Sequence, residues 1–182
     1  TTKKSKKENY NFYALLIGIN NYKNITPLKT PVNDIKEISN VLKSKYNFET
    51  TELINPDRKS IINKLNYFKK TLKPNDSFLL YFAGHGVLED DEGFWLPVNA
   101  ELDNDINWID NSLIKRKIKS LKSKNILVIA DSCFSGTLTR GINKTNFAIS
   151  NIKEKYLDTP SKIVITSGSL EPVIDGGGGE NS

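Results

Sequence analysis

SFLLYFAGHG (Ser77–Gly86) and NILVIADSCFSG (Asn125–Gly136) share one pattern: an apolar run ends abruptly on small residues beside a single reactive side chain. That side chain is His85 in the first stretch and Cys133 in the second, and the 182-residue chain has no other histidine or cysteine. A continuous apolar run of this length between turn residues suits a β-strand buried on both faces, as in a parallel sheet covered by helices. In such sheets the reacting groups lie in the crevice beyond the carboxyl ends of the strands. His85 and Cys133 each follow a run directly, so the pattern places them on the same edge of the sheet, at the ends of neighbouring strands. Gly84 and Gly86 flank the histidine and Gly136 follows the cysteine. The backbone can turn sharply there and approach a ligand closely.

Three further runs have the same character: FYALLIGI (Phe12–Ile19), NFETTELI (Asn47–Ile54) and KIVIT (Lys162–Thr166). Between the first two strands Val32, Ile35, Ile38 and Leu42 recur at helical spacing, with Asn33 and Asp34 near the start, where capping and acidic residues are favoured. Ile61, Leu65, Phe68 and Leu72 form a second stripe, ended by Pro74. Leu113, Ile114, Ile118 and Leu121 form a third. Strand alternating with helix implies right-handed crossovers and an α/β fold: a mainly parallel central sheet with helices on both faces, a three-layer sandwich. EGFWLPVN (Glu92–Asn99) alternates and predicts a small hairpin or edge strand. Thr137 to Pro160 reads as a polar loop with room for a short helix. The glycine-rich end EPVIDGGGGENS stops without an element to close the sheet edge, so a further C-terminal piece is expected.

With 37% hydrophobic residues, one domain with a sizeable core is expected. Lysine plus arginine exceeds aspartate plus glutamate by 26 − 21 = 5. The excess lies in a basic tail (Lys3, Lys4, Lys6, Lys7) and in the segment from Lys115 to Lys124. Without stacking aromatics or a groove-reading motif this is the pattern of solvated faces, so no nucleic-acid partner is expected. No run approaches the ~18 apolar residues of a membrane span, and no membrane partner is expected either. A single cysteine excludes an internal disulfide, which fits a reducing compartment and a cytoplasmic location. One histidine and one cysteine do not make a structural zinc site.

A thiolate is a strong nucleophile, and a nearby imidazole can generate it and then protonate a leaving amine. That division of labour needs one cysteine and one histidine. Taken alone, a cysteine is more often a small buried hydrophobe, and a histidine is often structural. The two together, each at a strand end within a glycine-rich turn, favour catalysis.

YFAGHG and DSCFSG together resemble the caspase-like cysteine peptidases, the superfamily of caspases, metacaspases and paracaspases (clan CD, peptidase C14-like). The separation, 133 − 85 = 48 residues, is close to the ~50 described between the caspase histidine and cysteine. ALLIGINNY resembles that family's first strand, VND the start of its first helix, and TSGSLEPVIDGGGG the strand and loop that open its small-subunit portion. The likeness therefore runs from Phe12 to the last residue. DSCFSG departs from the caspase QAC pattern and is nearer the metacaspase form, where a histidine commonly stands at the position of Phe134, so the subgroup stays open. The composition, rich in Lys, Asn and Ile, looks more like a bacterial member. The resemblance implies the caspase-hemoglobinase fold, with a basic tail over 1–11 and the peptidase domain over 12–182. Within that domain it implies a large-subunit portion to about residue 136, a linker over about 137–160 and the start of the small-subunit portion at 161–182.

The resemblance also implies roles. Cys133 attacks the scissile carbonyl and forms a thioester acyl-enzyme, and His85 is the general acid and base. The backbone N–H groups of Gly86 and Cys133 hold the oxyanion. The family generally works as a dyad, and no third side chain stands out. True caspases bind a P1 aspartate with arginines, whereas the matching positions here are acidic. Asp131 stands where caspases carry glutamine and where paracaspases and metacaspases, which prefer a basic P1 residue, carry aspartate. Asp34 falls where a paracaspase places a pocket aspartate, and Asp175 or Glu171 is a candidate for a further carboxylate. Cleavage after Arg or Lys, held by charge-assisted hydrogen bonds, is the expectation. Read without the resemblance, Asp34 is a helix cap and Asp131 a strand-end cap.

Arg140 and Lys144, in TLTRGINK, lie where caspase-like enzymes are often cut between large and small portions, so self-processing of a zymogen after Arg140 is a candidate event. No cofactor is expected. The acidic run from Glu89 to Glu92 invites calcium activation, which some metacaspases need, but it lacks the spaced ligands and turn glycine of an EF-hand and reads as an exposed loop. The partners implied are protein or peptide substrates, the chain's own small-subunit portion and an activating or regulatory protein, in a stress, cell-death or defence pathway. Two rivals stand beside this reading. One is a catalytically silent relative acting as a scaffold or regulator, against which the presence of both His85 and Cys133 argues. The other is a different thiol enzyme on a doubly wound sheet, which needs a G-x-S-x-G nucleophile elbow; ADSCFSG lacks its first glycine.

Overall fold

Burial on both faces is what the apolar runs require, and the fold supplies it over Phe12–Gly18 and Ser77–Ala83 but not over Phe48–Ile54, which lies at the end of the sheet order and has no buried residue. The computed structural model describes residues 10–90, 92–132 and the backbone of 161–167. In chain order the elements are β1 (Phe12–Gly18), α1 (Pro31–Tyr46), β2 (Phe48–Ile54), α2 (Arg58–Thr71), β3 (Ser77–Ala83), β4 (Gly86–Glu89), β5 (Glu92–Trp95), β6 (Ile109–Asp110), α3 (Asn111–Lys119), β7 (Asn125–Asp131) and β8 (Ser161–Ser167). The five strands expected from the sequence form one sheet in the order β2-β1-β3-β7-β8, every neighbouring pair parallel. Residues 1–9 of the basic tail, the segment 133–160 and the last residues, 168–182, lie outside the described residues.

Successive side chains of a strand face opposite sides, and β3 sorts its residues accordingly. Leu79, Tyr81 and Ala83 join Ala14 and Leu16 under α1, whose Ile35, Ile38 and Leu42 pack against them. Phe78, Leu80 and Phe82 face the other side, where Ile61, Leu65 and Phe68 of α2 and Ile114 and Ile118 of α3 close a larger cluster. The result is the expected three-layer arrangement.

The helix starts are fixed in two ways. Asp57 accepts the Ser60 N–H at 2.8 Å to cap α2, and Asp110 accepts the Leu113 N–H to cap α3. The start of α1 is capped from a distance: Thr30 makes no side-chain cap bond, and the Val32 N–H donates to Asn20 Oδ1 at 2.9 Å. Asp34 therefore sits in the first turn rather than at the cap position, where its charge complements the helix dipole.

The hairpin expected at Glu92–Asn99 is realised as β5, and its partner is β4, which begins at Gly86 immediately after His85. With β6 these strands make a small antiparallel sheet. The acidic run is divided by this turn. Glu89 and Asp90 are exposed, whereas the Glu92 carboxylate accepts the Ser112 N–H at 2.8 Å and the Ser112 hydroxyl at 3.1 Å, tying the small sheet to α3.

Candidate active site

The last registered pair between β3 and β7 is Ala83 with Asp131. His85 lies two residues beyond the first and Cys133 two residues beyond the second. Cys133 itself lies outside the described residues, as do Arg140, Lys144, Glu171 and Asp175. The approach of the two loops is nevertheless visible at their last described positions. The Gly84 N–H donates to the Asp131 carbonyl at 3.3 Å. A Cβ on Gly86 would come within 3.0 Å of Ser132 Oγ, 3.2 Å of Ser132 Cβ and 3.1 Å of the Phe94 carbonyl oxygen. A side chain at Gly86 would therefore crowd Ser132, the residue preceding Cys133.

The imidazole of His85 is held by a main-chain group. Its Nε2 is 2.8 Å from the Thr26 carbonyl oxygen. A carbonyl only accepts, so Nε2 carries the proton and, in the neutral ring, Nδ1 carries the lone pair. The His85 N–H donates to Tyr22 Oη at 2.7 Å, the Leu96 N–H donates to the His85 carbonyl at 3.0 Å, and the Tyr22 and His85 rings stand 4.8 Å apart at 48°. Thr26 and Tyr22 belong to the loop between β1 and α1, which is anchored at several points. Asn55 Oδ1 accepts the N–H groups of Asn20 at 2.7 Å and Asn21 at 3.0 Å, and the Lys23 N–H donates to the Val98 carbonyl at 3.0 Å. Asn55 reaches this position in a left-handed conformation, φ 48°, which asparagine tolerates better than most residues. Sequence reasoning did not find Thr26 or Tyr22. The tyrosine in INNY carries a detectable signal, since its polar tip needs a partner when the ring is buried, but a carbonyl donated by the backbone carries none.

The two aspartates expected in a specificity pocket both act electrostatically on one side chain, that of Tyr81. Asp131 is exposed at the end of β7 and Asp34 is half-buried in the first turn of α1. Tyr81 of β3 is only 8% exposed; its hydroxyl donates to the Asp131 carboxylate, and it feels the charge of Asp34. Burial first, then these two carboxylates, pushes the Tyr81 phenol well above its ordinary pKa; burial does the same to Tyr22.

The sign of the resulting pH dependence is fixed. A phenol whose folded pKa is raised contributes stability that is present in full below its unfolded value, 10.0, and lost as pH rises from there toward the folded value. Far-ultraviolet circular dichroism is expected to be flat to about pH 10 and to show cooperative alkaline unfolding above it. Tyr22→Phe and Tyr81→Phe are each expected to move that transition to higher pH relative to their own neutral stability. An alkaline limb unchanged by either would contradict the assignment.

Among the described residues no group of three or more His, Cys, Asp or Glu side chains is placed to hold a metal ion, and no helix is long and apolar enough to cross a membrane.

This geometry can be set beside known proteins. The chain is similar to Metacaspase-1 of Meyerozyma guilliermondii, 28% identical over 145 residues that make up 68% of this chain and 35% of that protein. It is also similar to Metacaspase-1 of Saccharomyces cerevisiae, 25% identical over 205 aligned positions, with 92% of this chain and 47% of that protein covered. The chain thus spans between a third and a half of the length of these curated relatives. Among solved structures, a protein of Geobacter sulfurreducens shares the fold with a TM-score of 0.57 at 18% identity, over 68% of this chain and 50% of that one. The Drosophila initiator caspase Dronc does so with a TM-score of 0.56 at 12% identity, over 65% and 47%. The caspase domain family, peptidase C14, matches residues 11–171, a span that contains both His85 and Cys133. The chain belongs to the caspase domain family of peptidases.

Proposed function

We propose that this chain carries the catalytic core of a cysteine endopeptidase that cleaves proteins after Arg or Lys. The observation that carries the proposal is that the charges of Asp131 and Asp34 both bear on Tyr81 of β3, the strand that leads to a His85 ring protonated at Nε2. His85 Nδ1 takes the proton of the Cys133 thiol, and the thiolate sulfur attacks the scissile carbonyl carbon. The oxyanion is held by the Gly86 and Cys133 N–H groups, donors of a kind worth ~3 kcal/mol each in other proteases. Collapse breaks the C–N bond as Nδ1–H protonates the leaving amine, leaving a thioester on Cys133. Water then gives a proton to Nδ1 and its oxygen to the acyl carbon, and the thiolate leaves. Throughout, Nε2–H remains on the Thr26 carbonyl, which stabilises the imidazolium and keeps Nδ1 as the exchanging nitrogen. The chemistry needs no cofactor.

Asp131 and Asp34 receive the guanidinium or ammonium of the P1 side chain, with Glu171 or Asp175 as a further carboxylate. The enzyme is made as a zymogen in the cytoplasm and processed after Arg140 or Lys144. The test is hydrolysis of matched fluorogenic peptides differing only at P1. Arg is expected to exceed Asp by at least ~100-fold in kcat/KM, a difference of about 2.7 kcal/mol. Fastest turnover of the Asp peptide would refute the pocket assignment.

A further inference from the structure

We infer that Tyr22 is a positioning residue for His85: its hydroxyl fixes the histidine's main-chain N–H and its ring backs the imidazole, so that Nε2–H stays on the Thr26 carbonyl. The inference rests on the reading of His85 as general base and acid. Three observations carry it. The Tyr22 hydroxyl is 2.7 Å from the His85 nitrogen, and the two rings are 4.8 Å apart. Tyr22 is only 7% exposed, so its hydroxyl stays neutral and the bond is shielded from competing water. Finally, a Cβ on Gly84 would lie 2.6 Å from Tyr22 Oη and 3.1 Å from Phe82 Cζ. The first glycine of GHG is therefore required by Tyr22: the space a side chain would need is filled by the hydroxyl that holds His85.

One loop thus grips the histidine twice, four residues apart, by the peptide through Tyr22 and by the ring through Thr26. Both grips must hold for Nδ1 to remain the free nitrogen. If either slackens, the neutral ring can rotate and exchange tautomers. A tyrosine that merely filled the core would be replaced without loss by phenylalanine, which keeps the ring and removes only the hydroxyl.

The chain has a single histidine, so imidazole ¹⁵N resonances report on His85 alone. In the wild type the neutral ring is expected as one tautomer, protonated at Nε2. In Tyr22→Phe the spectrum is expected to show a mixture of tautomers, with kcat on an arginine peptide down about tenfold and KM within about twofold. Gly84→Ala is expected to be far less harmful to the ring's order in the Tyr22→Phe background than in the wild type, because the clashing oxygen is gone. Wild-type kcat with an unchanged single tautomer in Tyr22→Phe would overturn the inference, as would an equal cost of Gly84→Ala in both backgrounds. The spectra decide the question even if the wild type cleaves no peptide: a lost tautomer then upholds Tyr22's role while the peptidase reading fails.

Discussion

His85→Ala is expected to lower kcat/KM on an arginine peptide by ~10³-fold or more, and Cys133→Ala to bring it to background. The two losses share one cause. Without an imidazole nothing takes the thiol proton, and the leaving amine departs unprotonated. Without sulfur there is no acyl-enzyme to form. Because the pair acts as a unit, the double variant is expected to be no worse than Cys133→Ala alone. The loss in His85→Ala is expected in kcat, with KM near the wild-type value, since the carboxylates proposed to bind the P1 side chain belong to β7 and α1. His85→Gln sharpens the test by keeping a polar side chain near the Thr26 carbonyl while removing the exchanging nitrogen. Steady-state and single-turnover rates check all of these. Activity in His85→Ala within a factor of ten of wild type would exclude His85 as the proton carrier.

The second large effect concerns the pocket. Asp131→Asn is expected to reduce kcat/KM for a P1 arginine by ~100-fold, and Asp34→Asn by ~10-fold, because a charge-assisted bond to a guanidinium is replaced by a neutral one. Asparagine retains an oxygen that can accept from the Tyr81 hydroxyl, so the substitution isolates the charge rather than the local packing. A P1 citrulline peptide, similar in shape to arginine but uncharged, supplies the control. The wild type is expected to prefer arginine over citrulline strongly and Asp131→Asn to lose that preference. An undiminished preference in Asp131→Asn would move the specificity determinant elsewhere.

Much of the architecture was legible in the sequence because burial on two faces demands uninterrupted apolar runs. FYALLIG, SFLLYFA and NILVIA announce central strands, and their order of alternation with the stripes of α1, α2 and α3 implies the parallel sheet. Strands β4 and β6 escaped notice for the opposite reason. They are four and two residues long, and β4 begins on the glycine of the histidine loop, so no periodicity has room to develop. The candidate site divides along the same line. His85 is read from side-chain identity and place, and the carboxylates Asp131 and Asp34 from the resemblance to caspase-like peptidases. The Thr26 carbonyl is invisible to that reading because every residue has one, and only the fold decides which one points at an imidazole. The remote cap of α1 by Asn20 is a similar case: the sequence shows polar residues at the helix start, but the acceptor comes from a loop eleven residues ahead of the first helical residue, 31 − 20 = 11.

The central claim is that Cys133 is a nucleophile activated by His85 beside a pocket for a basic side chain. Its most direct test is covalent labelling with a peptidyl-arginine electrophile, followed by peptide mass mapping. The account predicts one adduct, on Cys133, formed rapidly in the wild type, slowed by at least ~100-fold in His85→Ala, and not formed with the matching aspartyl electrophile. Labelling at a rate unaffected by His85→Ala, or equal for the arginyl and aspartyl reagents, would contradict it.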